Sequence, residues 1–465
     1  MDGVYIVVDL GKTLSKVSLW TRDGRMVERL VRATTVQEER GIRRLDSSGI
    51  AQWLVESLAR FAAHPVEAII PVGHGAGVCA FVDGALAFPP LDYEQPVPDA
   101  VMTAYRRERD PFAIAGSPAL PDGLNIGSQL YWLESLYPDE MARATLLPWV
   151  QYWAWFLSGT AVSEVTSLGC HSDLWDPANA RFAPMAERLG WAKRFAPLIG
   201  AGDEVGTLRL DLAARTGLSP DVRILAGLHD SNAALLAARG FAEIARNEAT
   251  VLSTGTWFVA MRLPAQPVDV AALPEARDCL VNVDAYGKPV PSARFMGGRE
   301  IEALIELDTR RVDIEPDQPA LLAAVDGVIA SSTMILPTLA PGFGPFASGS
   351  FQWVNRPDGW YARRAAACLY AALVADVSLE LIGAQERILV EGRFAEAEVF
   401  VRALAALRPD TRVFTANAHN DVSFGALRLI DPALRPQGTL SAVVPLEADL
   451  HRYRSDWLAQ MAVPA

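Results

Sequence analysis

Residues 223–238, RILAGLHDSNAALLAA, put two ionisable side chains, His229 and Asp230, where a strand gives way to a helix. The apolar run Ile224, Leu225, Ala226 reads as a strand, Gly227 breaks it, and residues 233–238 read as a helix. A carboxylate at such a junction has two uses. It can cap the helix by accepting the first free N–H groups. It can also act as a general base, taking a proton from a hydroxyl at the end of the strand. On this stretch alone capping is the simpler reading, and the rest of the chain must decide.

Other stretches carry groups suited to an anion. Residues 4–8 read as a strand ending at Asp9. The turn Leu10-Gly11-Lys12-Thr13-Leu14-Ser15-Lys16 follows, and then a second strand over 17–20. Glycine and small hydroxyl residues let backbone N–H groups approach an anion, and the lysines add positive charge. The spacing is not that of a Walker loop. Residues 250–261, TVLSTGTWFVAM, repeat strand, small-residue turn and strand around Ser253-Thr254-Gly255-Thr256. Glu391-Gly392-Arg393 lies between a strand at 388–390 and a helix at 399–407, a unit that often holds nucleotides in α/β proteins. Gly73-His74-Gly75-Ala76-Gly77 has no helix after it, so it reads as a tight turn with His74 as a candidate substrate contact. His171, Asp173 and Trp175 stand together in the polar stretch 163–176.

The elements that must position these groups form two similar openings. A meander (4–8, 17–20 and 26–36, with Asp23-Gly24 as a hairpin turn) leads to a helix at 50–63 and strands at 66–72 and 81–88. Helices follow at 124–137, 146–157, 185–195 and 208–216. The second half opens with strands in 250–261, 279–283 and 291–295. A Gly/Pro-rich loop at 341–349 and a long helix at 364–382 come next, then a strand at 412–415 and a helix at 424–430. Two such openings predict a duplicated α/β fold with a cleft between lobes.

Composition removes several classes of function. Of 465 residues, 51% are hydrophobic and 21% charged, as in an ordinary globular protein. A net charge of −13 argues against nucleic acid as a partner. The four cysteines are far apart with no CxxC pair, which predicts buried thiols in a reducing compartment. The N-terminal residues read as lacking a signal peptide. Residues 144–163 are uncharged, but Pro148, Gln151 and Ser158-Gly159 leave only about ten helical residues, too few to cross a membrane.

In this order the pieces resemble the FGGY family of carbohydrate kinases, within the sugar kinase/actin/Hsp70 superfamily. Asp9-Leu10-Gly11 with Thr13 and Lys16 is similar to the family's first phosphate motif, and Gly227-Leu228-His229-Asp230 to its catalytic-aspartate motif. Ser253-Thr254-Gly255-Thr256-Trp257 looks like the second phosphate motif. Leu389-Val390-Glu391-Gly392 before a helix looks like the adenosine motif. The His-Asp pairing and the Gly-Thr-Trp triplet look most like the L-rhamnulose and L-fuculose kinase branch.

The resemblance spans nearly the whole chain and implies two ribonuclease H-like (actin-like ATPase) domains flanking a central cleft. Residues 1–238 would form a sugar-binding and catalytic domain, and residues 239–465 a nucleotide-binding one. The implied reaction is transfer of the γ-phosphoryl group of ATP, with Mg²⁺, to a ketose hydroxyl, expected at C1, with Asp230 as base. Gly11, Thr13, Lys16, Gly255, Thr256 and Gly392 would hold the nucleotide, and Asp9 with Asp230 the Mg²⁺. His74, Asp92, Tyr93, Glu94, His171 and His229 are the implied sugar contacts. The implied setting is cytoplasmic, with neither membrane nor nucleic acid as partner and a homodimer as the assembly.

Two positions depart from the family pattern. Lys12 replaces a small or hydroxyl residue, and would either help phosphate binding or block the loop. Glu391-Gly392-Arg393-Phe394 replaces a double-glycine turn, so Arg393 or Phe394 is expected to crowd the adenine site. Two other readings share these features: an actin- or Hsp70-like ATPase, and a sugar-binding regulator without ATP use.

Overall fold

In the computed structural model, which describes residues 3–306, 310–417 and 422–462, every residue of the strand Val4–Leu10 is buried. Its β-branched side chains alternate between two cores, as a strand's two-residue period requires. Val4, Ile6, Val8 and Leu10 pack with the helix Ser47–Ala59 through Ile50, Leu54 and Leu58. Tyr5 and Val7 pack on the other face with Leu236, Phe424 and Leu427. The strand pairs antiparallel with Leu14–Thr21, which pairs with Met26–Ala33, and parallel with Val66–Gly73. Arg223–Leu225 and Leu228–His229 also run parallel to Val66–Gly73.

The chain divides into two units. Unit 1 takes Met1–Gly240, Val281–Pro289 and Asn420–Pro436, and unit 2 takes Phe241–Leu280, Val290–His419 and Gln437–Ala465. The main division therefore falls at Gly240 rather than 238, and two later segments cross back to unit 1. Burial explains the crossings. Val283 shares a core with Leu168, Leu174 and Trp175, and Phe424, Ala426 and Leu427 share one with Val7 and Ile70.

Unit 2 repeats the arrangement around Ala249–Thr254. This strand is antiparallel to Phe258–Leu263, which is antiparallel to Pro289–Phe295. On its other side it runs parallel to Arg387–Gly392, which runs parallel to Arg412–Ala416. The helix Trp360–Leu381 carries much of that unit's core, including Leu369, Leu373 and Val377. An antiparallel meander continued by parallel strands in each unit is the ribonuclease H-like order of actin-like ATPases. The register is also shared: Leu10 lies opposite Gly73 in unit 1, and Thr254 opposite Gly392 in unit 2.

Several elements differ from the sequence reading. The expected strand 26–36 ends at Ala33, and Val36–Glu39 instead forms a separate hairpin with Ile42–Leu45. Arg40 and Gly41, at φ 53° and 77°, supply the left-handed turn this hairpin needs. The expected strand 81–88 is likewise a hairpin, Val78–Val82 with Ala85–Leu86, turning at Asp83-Gly84. The expected helix 146–157 begins as the strand Thr145–Pro148 and becomes the ten-residue helix Trp149–Ser158, closed by Gly159 at φ 82°. The expected helix 185–195 covers only Pro184–Arg188. Asp99–Glu108, Gly297–Ile305, Gln318–Ala330 and Leu450–Ala462 are helices the patterning missed. Among the described residues no helix is long and apolar enough to cross a membrane, and all four cysteines are buried outside disulfides.

Candidate active site

The junction at Asp230 depends on a glycine. Gly227 sits at φ 76°, and a Cβ there would lie 2.1 Å from the Pro71 carbonyl oxygen, so the turn excludes every side chain. Buried Gln151 steadies it, its Nε2 donating to the carbonyls of Ala226 (3.2 Å) and Gly227 (3.3 Å). The helix that follows is Asp230–Ala238, with His229 in the capping position and making no side-chain cap. The capping reading of Asp230 is thereby corrected, since Asp230 is the first residue of the helix. Its Oδ1 accepts from the Ser231 N–H (2.6 Å) and hydroxyl (3.3 Å) and lies 3.1 Å from His229 Nε2. Oδ2 takes no hydrogen bond among the described residues. Burial raises the Asp230 carboxyl above its ordinary value, with His74, Ser231 and Lys16 acting the other way.

Burial lowers the His229 imidazole to about 4, so near neutral pH it is uncharged. The uncharged ring sets its Nε2 beside Asp230 Oδ1, at 3.1 Å. The backbone beneath it is fixed. His229 N–H donates to Thr166 Oγ1 (2.9 Å), and that hydroxyl donates to the Glu164 carboxyl. Cys170 Sγ lies 3.6 Å from the same Nε2.

Glu164 is fully buried, and burial raises its carboxyl from 4.5 to about 7. A raised acid favours the folded state below its unfolded pKa, and that contribution disappears as pH rises through the folded one. Glu164 should therefore cost wild type about 2.5 kcal/mol of stability between pH 5 and pH 8. Urea melts of wild type and Glu164→Gln at the two pH values check this. The expected outcome is a smaller loss in the variant by roughly that amount.

The implied sugar contacts fall into two groups. His74 is buried between Trp149 (stacked, 5.7 Å between ring centres) and Tyr93 (edge-on, 5.4 Å). Its Nδ1–H donates to the Gly75 carbonyl (2.7 Å), leaving Nε2 as a buried acceptor with no partner among the described residues. A Cβ on Gly75 would lie 2.6 Å from Cys170 Sγ and 3.0 Å from His229 Nε2, so this turn packs directly on the Asp230 junction. Segment 123–129 laces the loops together. Gly123 N–H donates to the Tyr93 carbonyl (3.0 Å), Gln129 Nε2 to the Ala76 carbonyl (2.7 Å), and Asn125 Nδ2 to the His171 carbonyl (2.8 Å). His171 turns its Nδ1 to the Leu124 carbonyl (2.8 Å).

Asp92 and Glu94 both face cations. Asp92 is fully buried, with Lys12 on Oδ1 and Arg43 3.3 Å from Oδ2, while Glu94 is half exposed. Asp173 belongs to a separate buried cluster, with Tyr105 and Arg109 Nε (3.0 Å).

The first hairpin can take an anion. Its own bonds, Gly11 N–H to the Leu14 carbonyl and Thr34 to the carbonyls of Gly11 and Thr13, leave the N–H groups of Lys12 and Thr13 without an acceptor among the described residues. Lys16, directly across the ladder from Asp9, places Nζ 3.1 Å from its Oδ2. Lys16 also pulls on Asp230, so it lies within electrostatic reach of both carboxylates. Among the described residues no group of three or more His, Cys, Asp or Glu is arranged around a metal. Asp9 and Asp230 are carboxylates of the kind Mg²⁺ uses, one or two at a time, together with water and phosphate oxygens.

The second hairpin, in unit 2, has the same character. Gly255 N–H bonds the Trp257 carbonyl (3.0 Å), and Thr256 is exposed at the tip. Gly298, at the start of the helix Gly297–Ile305, packs so close that a Cβ would lie 2.1 Å from the Gly255 carbonyl oxygen. Thr254 Oγ1 donates to the Glu391 carbonyl and accepts the Phe394 N–H (3.1 Å), which joins the hairpin to the Gly392 turn. The expected crowding by Phe394 is corrected. Phe394 is buried in the core, its ring 4.9 Å from that of Phe258. Arg393 turns to Asp313, Nε to Oδ2 at 2.6 Å. The turn therefore swaps small residues for a core anchor and an ion pair, which removes the observation that favoured a regulator without ATP use.

Residues 246–437 match the family described as "Carbohydrate kinase FGGY, C-terminal domain". The chain is 71% identical to a carbohydrate kinase from Novosphingobium aromaticivorans of known crystal structure, with a TM-score of 0.96 over 99% of this chain and 98% of that one. It is 28% identical over 309 residues to the L-fuculokinase of Escherichia coli K12, a match covering 61% of each, so it spans about three fifths of the curated relatives' length. Glycerol kinase from Plasmodium falciparum shares the fold, with a TM-score of 0.80 at 11% identity over the whole of both chains.

Proposed function

Since the chain belongs to the FGGY family of carbohydrate kinases, we propose that it transfers the γ-phosphoryl group of ATP to the C1 hydroxyl of a ketose such as L-rhamnulose or L-fuculose. The observation that carries this reading is the uneven carboxylate of Asp230. The Ser231 N–H and hydroxyl both donate to Oδ1, with the His229 ring beside it, and leave Oδ2 to act as base. In the proposed step Oδ2 takes the proton of the acceptor hydroxyl, and the freed oxygen bonds to the γ-phosphorus. The bond from that phosphorus to the β–γ bridging oxygen breaks, and ADP leaves with the electron pair.

His74 Nε2 is the second acceptor on this side, suited to a hydroxyl proton of the sugar. Tyr93 and Trp149, which flank His74, give the sugar ring or chain an aromatic wall. Gly11, Thr13 and Lys16 in unit 1, and Gly255, Thr256 and Gly392 in unit 2, are the proposed nucleotide contacts. Asp9 and Asp230 would hold Mg²⁺, which when bound neutralises charge on the phosphate oxygens.

The imidazole of His229, 3.1 Å from Asp230 Oδ1, is proposed to position that carboxylate. His229→Asn, whose amide is too short to reach Oδ1, should lower kcat on the order of 10- to 100-fold, the size expected for a misplaced base. His229→Gln, whose Nε2 reaches the same place, should recover most of it; equal losses in both variants would contradict the role. The function itself is tested by ADP release with MgATP across L-rhamnulose, L-fuculose, L- and D-ribulose, both xyluloses, glycerol and erythritol. Strong release with one ketose is expected. Sugar-independent release would mark an ATPase, and sugar binding without release would mark a regulator.

A further inference from the structure

We propose that Lys12, although it stands in the phosphate hairpin, selects the acceptor and excludes sugar acids. This rests on the kinase reading above. The Lys12 side chain leaves the hairpin for the loop that follows Leu91. Its ammonium bonds Asp92, lies 3.5 Å from Glu94 Oε2 and sits 4.6 Å over the Tyr93 ring. Arg43 completes a quartet, with NH2 3.3 Å from Asp92 Oδ2 and 3.4 Å from Glu94 Oε2. Two cations face two carboxylates, so the group carries no net charge.

The carboxylate at its centre cannot swing away. Asp92 N–H donates to the Arg43 carbonyl (3.1 Å), and Asp92 Oδ1 accepts the Glu94 N–H (3.0 Å). The quartet is also one ring away from the chemistry, because Tyr93 meets His74 edge-on and His74 is within electrostatic reach of both Lys12 and Asp230. His74 Nε2, buried and without a partner among the described residues, marks where a ligand's hydroxyl would bond. The Lys12 side chain keeps 17% of its surface exposed, enough to offer one N–H to a hydroxyl or carbonyl oxygen.

A carboxylate ligand meets different conditions. Its desolvation is offset only by a cation that is not already paired, and Lys12 and Arg43 are both paired. The charge of Asp230 also opposes it, a repulsive element of the kind that sets specificity against a wrong partner. Lys12 thus serves as a neutralised donor for uncharged sugars. Asp92 and Glu94 hold it neutral.

The test is a specificity change. In D92N/E94Q the two cations lose their carboxylates, and kcat/KM for D-gluconate relative to the preferred ketose should rise at least tenfold. In K12T/D92N, which removes both members of the buried pair and leaves no orphaned charge, kcat/KM for the ketose should fall at least tenfold. KM for ATP should stay within twofold. A rise in KM for ATP with unchanged sugar discrimination would overturn the proposal and make Lys12 a phosphate contact. Wild type that releases no ADP with any sugar would instead sink the kinase reading. In that event thermal shifts with ketose and with D-gluconate, in wild type and D92N/E94Q, still decide. A gluconate shift equal in the two proteins overturns the proposal, and one confined to the variant supports it.

Discussion

Asp230→Asn should lower kcat by roughly 10²–10⁴, the range a positioned general base supplies. The substitution keeps the shape of the side chain and one carbonyl oxygen. Ser231 can still donate to that oxygen, so the turn at Gly227 and the helix Asp230–Ala238 should stand as they do in wild type. What is lost is the second oxygen's capacity to take a proton. The effect should therefore fall on kcat, with KM for ATP near its wild-type value and a melting temperature at or above it. The last point follows from burial, which penalises the charged carboxylate and raises its pKa. Steady-state kinetics with the preferred ketose, beside a thermal melt, check all three. Near-normal turnover would remove Asp230 from the mechanism.

The second large effect is expected at the nucleotide turn. Gly392 adopts φ 82° and ψ −167°, a region open in practice only to glycine, and a Cβ there would lie 2.1 Å from the Thr254 carbonyl oxygen. Gly392→Ala must push apart two strands in register, Thr254 against Gly392. It must also disturb the Thr254 hydroxyl bridge to Glu391 and Phe394. A loss of about 3 kcal/mol of stability is expected from strain and contact together, with ADP affinity at least tenfold weaker.

Gly255→Ala is the matched control for the site. Its Cβ would have no atom nearer than the Trp257 carbonyl oxygen at 3.8 Å, so stability should stay within about 0.5 kcal/mol. ADP affinity should still fall, because the methyl occupies the approach to the hairpin. Calorimetric titration with ADP and urea melts separate the two outcomes. Undiminished ADP binding in Gly255→Ala would place the phosphates elsewhere.

How much of this was legible in the sequence depended on how local each feature is. The Asp230 junction, both hairpins and the Gly392 turn announce themselves through glycine, small hydroxyl residues and a strand-to-helix change within a few positions. The same local signal lies at Asp83-Gly84 and Arg40-Gly41, where positive φ makes hairpins where long strands were expected. The groups that hold Asp230 in place had no local signature. Glu164, Thr166 and Cys170 approach from roughly sixty residues away, and Gln151 from farther still.

Two side-chain directions were beyond sequence patterning as well. Lys12 reaches Asp92 across a separation of 80 residues. Phe394 lies two residues after the exposed Gly392, yet it turns inward onto Phe258, whose ring also packs on Phe400. Binary patterning gives no sign of either, since both depend on which strands the sheet brings side by side.

The central claim is transfer of a phosphoryl group to a sugar hydroxyl, and the product tests it most directly. Wild-type protein, MgATP and the ketose that gives the strongest ADP release should be incubated and followed by phosphorus NMR with proton correlation. A new phosphate monoester resonance coupled to the C1 methylene protons, growing in step with ADP, is the predicted result. ADP accumulating with inorganic phosphate alone, and no resonance correlated to the sugar, would contradict it.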